Sequence, residues 1–387
     1  MLSIFNFGHY LNKNMKIVVN TRLLIENKLD GIGWFTYETL KRITKNHPEH
    51  EFFFLFDRKY SDKFIFSDNI TPIIINPPAR HPVLWYLWFE FSVKKTIKKL
   101  NADLFLSPDG YLSLSSKIIQ IPVIHDINFV HRPQDLPYLT KKYYNFFFPK
   151  YAKKAHKIAT VSEYSKLDII GEYNISDDKI NVVYNGCNEM YKPISENKKV
   201  AIKQRYSNNK DYFIFIGTLH PRKNIARLFQ AFEKFKEKTN SDFKLLIIGT
   251  RMFLTKDIED AYAKSNFKDD IIFTGRLSPE DLHKVLASAF AMTFVPLFEG
   301  FGIPIIEAMN CDVPVISSNT TSLPEVAGKA AIFINPFQID EITDAMIKIT
   351  EDNELRNNLI EKGRKRKELF SWDKTAEKLW NIIETSF

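Results

Sequence analysis

Phe298-Glu299-Gly300-Phe301-Gly302-Ile303-Pro304-Ile305-Ile306-Glu307-Ala308-Met309 places two carboxylates eight residues apart, the first in a glycine-rich loop and the second on the helix that should follow it. Pro304 suits the first helical turn, where its missing N–H loses no hydrogen bond, and Gly300 and Gly302 let backbone amides approach a ligand closely. A diphosphate at such a helix start meets unpaired N–H donors and the positive end of the helix dipole. Glu299 and Glu307 can accept hydrogen bonds from sugar hydroxyls. One short loop, with Phe301 and Ile303 inside it, is therefore a candidate cradle for a sugar nucleotide.

Outward from this loop, short apolar runs alternate with helical stretches along the chain. In the second half the runs are 213–216, 245–248, 271–273, 291–295, 313–316 and 331–334. In the first half they are 16–20, 52–56, 73–75, 104–106, 118–124 and 158–161, with helices predicted over 34–45, 83–99 and 138–154. This alternation predicts parallel sheets with helices on both faces, and such sheets bind ligands beyond the carboxyl ends of their strands. The fold class is α/β, in two similar halves joined by a turn-rich linker at 185–199. The predicted organisation is a loose extension at 1–14, with Met15 a candidate alternative start, and domains at 15–190 and 191–365. The stretch 355–387 reads as helix, and its part from 366 onward is expected to cross back to the first domain.

A chain of 387 residues with 44% hydrophobic content is too long for one ordinary core and fully globular in composition. Its formal charge of +8 suits a polyanionic ligand, an acidic membrane surface or a nucleic acid. Nucleic acid is the weakest of these, since no zinc-finger, helix-turn-helix or RNA-binding signature occurs. Cys187 and Cys311 supply neither a disulfide framework nor a metal site, which points to a reducing, cytoplasmic setting. No run of about twenty uncharged apolar residues exists to span a membrane. Two segments mix aromatics with lysines: 85–89 leading into Lys94, Lys95, Lys98 and Lys99, and 143–148 between Lys141, Lys142 and Lys150. Buried helices with solvated lysines read this way, and that reading is favoured. An interfacial helix at the inner, anionic face of a plasma membrane reads the same, so peripheral contact stands as the alternative.

Three further stretches bear on chemistry. Asp30-Gly31-Ile32-Gly33 follows the first strand with two of the three glycines of a dinucleotide loop, equally consistent with a tight turn and with a phosphate-facing loop. Phe215-Ile216-Gly217-Thr218-Leu219-His220-Pro221-Arg222-Lys223-Asn224 sets two adjacent cations at a strand end, where they can neutralise a departing diphosphate. His125-Asp126 and Ser107-Pro108-Asp109-Gly110 occupy strand ends in the first half.

Taken in order, these motifs resemble the retaining GT-B glycosyltransferases of the family 4 (group 1) type, over residues 15–385. That family's E-x7-E motif stands as Glu299 to Glu307, its Arg/Lys motif as Gly217 to Asn224, and its first glycine loop as Gly31-Ile32-Gly33. Val161-Ser162-Glu163-Tyr164-Ser165 is similar to its V-S-x-x-S segment, Val182 to Asn188 to the strand and turn closing its first domain, and Val123-Ile124-His125-Asp126 to its histidine segment.

The resemblance implies two Rossmann-like domains facing across a cleft, the second holding the nucleotide sugar and the first the acceptor. It implies that Arg222 and Lys223, with Gly217 and the Gly31 and Gly33 loop, hold the diphosphate. Glu299 and the amides of Gly300, Phe301, Gly302 and Ile303 would engage the sugar, Glu307 the ribose, and Arg276 and Leu277 the base. His125 would face the transferred sugar or the acceptor, with Asp126 orienting it or acting directly, and Asp109 and Ser162 would lie on the acceptor side. Residues eight apart on a loop and helix sit roughly 10 Å or more apart along the axis, too far for a two-carboxylate mechanism, so Glu299 and Glu307 read as donor binders. The family's front-face mechanism lets the leaving phosphate accept the acceptor's proton. No D-x-D motif occurs, in keeping with a metal-free site and no cofactor. The chain departs from the pattern at Asn20-Thr21-Arg22, where many relatives are acidic, and at Asn319 to Ser322, which lacks glycine. The Gly-Thr-Leu-His-Pro-Arg-Lys-Asn variant looks most like bacterial polysaccharide mannosyltransferases, making GDP-mannose the favoured donor and a glycan or lipid-linked glycan the acceptor. Competing readings are a catalytically silent GT-B scaffold, a GT-B sugar-nucleotide epimerase and, disfavoured by the incomplete glycine loop, a nicotinamide oxidoreductase.

Overall fold

The computed structural model describes residues 14–250 and 256–387, so the extension expected at 1–14 lies, except for Asn14, outside the described residues. Strands β1 (Lys16–Asn20), β2 (Glu51–Phe56), β3 (Ile70–Ile74), β4 (Leu104–Ser107) and β5 (Ile119–Pro122) form a parallel sheet ordered β3-β2-β1-β4-β5. Strands β6 (Ile158–Thr160) and β7 (Ile180–Val182) pair with each other and join that sheet through a bridge between Val123 and Ala159. The second sheet contains β8 (Tyr212–Ile216), β9 (Lys244–Ile248), β10 (Ile271–Gly275), β11 (Ala291–Phe294), β12 (Val315–Ser318) and β13 (Ala331–Ile334), ordered β10-β9-β8-β11-β12-β13. Each half is thus a Rossmann-like domain whose strand order reverses beside its first strand. Crevices open there, beyond the carboxyl ends of β1 and β4 and of β8 and β11.

The central strands are apolar along their length because helices cover both faces. All five residues of β8, Tyr-Phe-Ile-Phe-Ile, are buried. Each fully buried Phe or Ile contributes about 1.5–3 kcal/mol, so these strands anchor the loops at their ends.

Element boundaries depart from the sequence reading in physically interpretable ways. The edge strand β3 begins at Ile70, because Pro72, opposite Phe54, sits where a missing N–H costs no ladder bond. The segment read as a loop at Gly31 to Gly33 is the first turn of helix Gly31–Asn46, capped by Asp30, whose carboxylate accepts from the Gly33 amide at 2.9 Å. Helix Glu196–Ser207 starts inside the expected linker. The helix expected at 83–99 runs as Pro82–Leu87, a π turn at Trp88–Val93, and Lys94–Leu100.

The terminal segment is two helices, Asn353–Arg366 and Trp372–Glu384, broken where the Ser371 hydroxyl accepts from the Lys374 amide at 3.2 Å. The first packs on helix Ile303–Asn310 of the second domain, the last on helix Gly31–Asn46 of the first. There Trp380 stacks on His47 at 3.7 Å, and the Thr375 hydroxyl donates to the Tyr184 carbonyl at 2.7 Å.

The aromatic, lysine-rich segments divide by face. Trp88, Phe89, Tyr143, Phe148 and Tyr151 are core residues, whereas Val83, Tyr86, Leu87, Phe91 and Phe146 are exposed. Among the described residues, no helix is long and apolar enough to cross a membrane.

Candidate active site

A cleft of about 1700 Å³ separates the two domains. On the second-domain side it is built by the loops after β8 and β11. The Asn224 side-chain amide ties them together, donating to the carbonyls of Val295 at 3.0 Å and Pro336 at 2.7 Å. Arg222 Nη1 lies 2.9 Å from Glu299 Oε1 and 3.1 Å from the Phe298 carbonyl, and Lys223 Nζ pairs with the same carboxylate oxygen. Burial pushes the Glu299 carboxyl up, but the two cations outweigh it and hold the group below the usual range. Burial also lowers the Lys223 ammonium, while the Glu299 charge more than offsets burial at Arg222. Two cations against one carboxylate give this cluster a net positive charge, and the Arg222 guanidinium keeps donors to spare.

Gly302, at φ +101°, caps helix Ile303–Asn310 in a conformation that glycine adopts without strain. The loop before it is held by Ser322, whose hydroxyl is shared between the carbonyls of Glu299 at 2.9 Å and Phe301 at 3.2 Å. Glu307 faces the cleft from the helix; burial raises its carboxyl to about 7 despite a hydrogen bond with Tyr191.

The first domain meets this loop directly. A β-carbon on Gly300 would lie 2.5 Å from the His125 carbonyl oxygen, so only glycine permits the approach. The Ser162 and Ser165 hydroxyls reach the Gly300 carbonyl at 2.8 and 3.3 Å. Nearby, the Glu325 carboxylate of the second domain accepts from the amides of Glu163 at 2.7 Å and Tyr164 at 3.0 Å, at the start of helix Glu163–Tyr173. Arg276 Nη2 donates to the Leu29 carbonyl at 3.0 Å, closing the far end.

His125 Nε2 lies 2.9 Å from the Pro108 carbonyl. A carbonyl only accepts, so Nε2 carries the proton and Nδ1 is the free acceptor. Burial lowers its pKa and keeps the ring neutral. Asp126 instead accepts from the Asn128 amide at 3.0 Å and from its side chain, so Pro108 rather than Asp126 orients the histidine.

Gly31, Asp109, His125, Asp126, Gly217, Arg222, Lys223, Arg276, Leu277, Glu299, Gly300, Phe301, Gly302, Ile303 and Glu307 all line the cleft. Gly33 and Ser162 are not among the residues lining it; Gly33 is bonded within its helix turn and Ser162 ties the domains together. Asp109 borders the cleft, but its oxygens are held by Asn20 at 2.6 Å and by Arg22 at 2.6 Å, which is the role of the unusual Asn20-Thr21-Arg22 strand end. Sequence reasoning missed Tyr191, Ser165, Ser322 and Glu325. Their partners lie far away in the chain; Ser165 stood in the V-S-x-x-S segment and Ser322 at the end of the Asn319 to Ser322 stretch, but neither stretch signalled the bonds they make. Among the described residues, the side-chain groups with metal-ligand geometry, His47/Glu49/His50 and His131/Asp168/Glu172, do not border the cleft.

Two Rossmann-like domains facing across a cleft, with paired cations and a helix start on one wall and a histidine on the other, define the GT-B class of sugar-transferring enzymes. The chain matches the models "Glycosyltransferase Family 4" over residues 29–189 and "Glycosyl transferases group 1" over residues 197–366, and it belongs to this glycosyltransferase family. It is 30% identical to O-antigen chain mannosyltransferase B of Escherichia coli, over 96% of this chain and 100% of that protein. It is 27% identical to O-antigen chain mannosyltransferase RfbU of Salmonella typhimurium, over 72% of this chain and 74% of that protein. Its fold is similar to that of Anabaena Alr3699/HepE in complex with UDP and glucose, at a TM-score of 0.75 and 15% identity, over 96% of this chain and 100% of that one.

Proposed function

We propose that the protein is a retaining, metal-independent mannosyltransferase that moves mannose from GDP-mannose to a glycan or lipid-linked glycan in cell-surface polysaccharide synthesis at the cytoplasmic face of the membrane. The observation that carries this reading is the Arg222–Lys223–Glu299 cluster at a helix start, opposite His125. In this reading the diphosphate takes up the free donors of Arg222 and Lys223, together with backbone N–H groups of the Gly300–Ile303 loop that leads into helix Ile303–Asn310. The bond from the sugar's anomeric carbon to the phosphate oxygen breaks, with its electrons staying on the phosphate. The acceptor hydroxyl oxygen bonds the same carbon from the same face, and its proton passes to the departing phosphate. Arg222 and Lys223 stabilise the developing charge in the role a metal ion otherwise plays. Mannose and a surface glycan are supported by what the relatives are named for.

The test is a thermal-shift screen of GDP-, UDP- and ADP-sugars, followed by an assay of nucleotide release with cell-envelope acceptors in EDTA. Stabilisation by GDP-mannose and release of GDP, with an α-linked product by NMR, are expected. Turnover without an acceptor would favour the epimerase reading, and binding without turnover the silent scaffold.

Peripheral membrane contact is favoured by one feature, the exposed cluster of Tyr86, Phe91 and Phe146. Tyr86 and Phe91 are in ring contact at 6.0 Å, and Lys150 Nζ sits 3.2 Å over Phe146. Aromatics with lysines among them suit an anionic lipid surface. Co-sedimentation with vesicles containing phosphatidylglycerol, reduced by Phe91→Glu, is expected; equal recovery with neutral vesicles at low salt refutes it.

A further inference from the structure

The first-domain end of the cleft is walled by aromatic rings that neither the donor site nor the reaction uses. Trp85 and Tyr144 lie parallel, 5° apart in plane with centroids 5.7 Å apart, and both border the cleft half-buried. Tyr111 closes the floor edge-on to Trp85 at 5.6 Å, and Phe129 packs on Tyr144 at 4.9 Å. The rings are held in place. The Trp85 indole N–H donates to the Ala79 carbonyl at 2.9 Å, and the Arg22 guanidinium, fixed by Asp109, stacks over Tyr111 at 4.3 Å. The Tyr111 hydroxyl donates to the Tyr144 oxygen at 3.1 Å, which leaves the Tyr144 O–H free to donate toward the cleft. Burial raises the pKa of both phenols, so they remain protonated donors. Asp126 and Asn128 border the same end and lead to His125.

We propose that this chamber is a saccharide-binding subsite, in which the cleft-facing side of the parallel Trp85–Tyr144 pair packs against the C–H face of the acceptor's terminal pyranose while the Tyr144 hydroxyl and Asn128 bind its hydroxyl rim. A pyranose has one apolar face of C–H groups and a polar edge, and it needs a flat apolar surface rimmed by hydrogen-bonding groups. An aliphatic lipid chain gains nothing from the polar rim, and burying the rim against it would leave donors unpaired. The proposal rests on the reading above that the acceptor is a glycan. It adds which residues grip the sugar and by which face.

The test is saturation-transfer NMR on the full chain with the methyl α-glycosides of mannose, galactose and N-acetylglucosamine and with octyl α-mannoside, each with and without GDP. Saturation reaching C–H protons of one ring face in at least one glycoside is expected. Its apparent affinity should weaken about tenfold in Trp85→Leu and about threefold in Tyr144→Phe, which keeps the ring and loses only the donor. A thermal shift with GDP equal to that of the unmodified protein shows that each variant is folded. Tyr144→Phe decides alone should Trp85→Leu fail that check. The proposal is overturned if no glycoside receives saturation, if both variants match the unmodified protein, or if only the lipid chain of an octyl glycoside receives it. Absence of GDP stabilisation in the unmodified protein refutes the donor reading instead, and the nucleotide-free arm still tests the subsite.

Discussion

Replacing Gly300 by alanine puts a methyl carbon 2.5 Å from the His125 carbonyl oxygen and 2.8 Å from the Asp126 β-carbon, both on the opposite domain. Ordinary contact requires about 3.4 Å, so loop and histidine segment must separate by about 1 Å. Overpacking of this kind costs about 1–3 kcal/mol, and separation also stretches the bonds from Ser162 and Ser165 to the Gly300 carbonyl. The larger consequence is kinetic. The Arg222–Lys223–Glu299 cluster and His125 belong to different domains, and a misplacement of about 1 Å between reacting groups lowers rate about 100-fold. Arg222, Lys223 and Glu299 share one domain, so nucleotide affinity should change by less than about threefold. The assay is kcat/KM for GDP release with acceptor, alongside GDP affinity by calorimetry. The control is Gly171→Ala in helix Glu163–Tyr173, where an added β-carbon meets nothing within 4 Å and stability should rise slightly. A Gly300→Ala enzyme within twofold of the unmodified protein, or one that loses GDP binding in step with turnover, refutes the idea that this glycine sets the approach of the two domains.

Glu307 has its carboxyl raised from 4.5 to about 7 by burial, so between those values the folded chain holds a proton that the unfolded chain has lost. Stability contributed by this group is full below pH 4.5 and falls as pH rises through 7, by at most about 3 kcal/mol. Glu307→Gln should therefore gain stability over the unmodified protein at pH 8.5 but not at pH 4.5 in urea titrations; a constant difference would sink the assignment. Lys223→Ala leaves Glu299 paired with Arg222 alone, and transfer should fall about 100- to 1000-fold while the fold survives; a near-normal kcat would exclude a role in leaving-group stabilisation. Glu325→Gln removes a charge from the start of helix Glu163–Tyr173, about 1 kcal/mol of interdomain contact. X-ray scattering should then show a larger radius of gyration, and an unchanged profile argues that the other contacts suffice. Trp380→Ala deletes a buried ring stacked on His47 and should cost about 3–5 kcal/mol, read as a lowered denaturation midpoint. A shift below about 1 kcal/mol would mean that the terminal helix is not a structural strap.

Signals confined to neighbouring residues were readable in the sequence. The alternation of apolar runs and helices predicted both sheets, because parallel strands buried on both faces leave continuous apolar stretches. The Glu299–Glu307 and Gly217–Asn224 motifs predicted donor-side residues, and the structure brings them to one wall, because strand-end loops are short and their chemistry lies in adjacent residues. Boundaries failed where the local signal was ambiguous. Pro72 hid the start of an edge strand, and Gly31 and Gly33 read as a loop although Asp30 caps them into a helix turn.

What depends on pairing across the chain was not readable. Ser162 sits in a recognisable motif, yet only the folded chain shows its hydroxyl on the Gly300 carbonyl, 138 residues away. Asn20 and Arg22 appeared as a departure from a pattern, and the structure shows them holding Asp109, 89 and 87 residues away. The aromatics at 85–89 and 143–148 have one composition but two fates, set by which face of each helix meets the sheet. The sequence alone determined the two parallel domains and the strand-end loops that carry Arg222, Lys223 and Glu299, since periodicity and loop composition are local. The tertiary structure alone decided how the two walls of the cleft meet, because hydrogen bonds and packing between distant residues depend on distances that no linear pattern encodes.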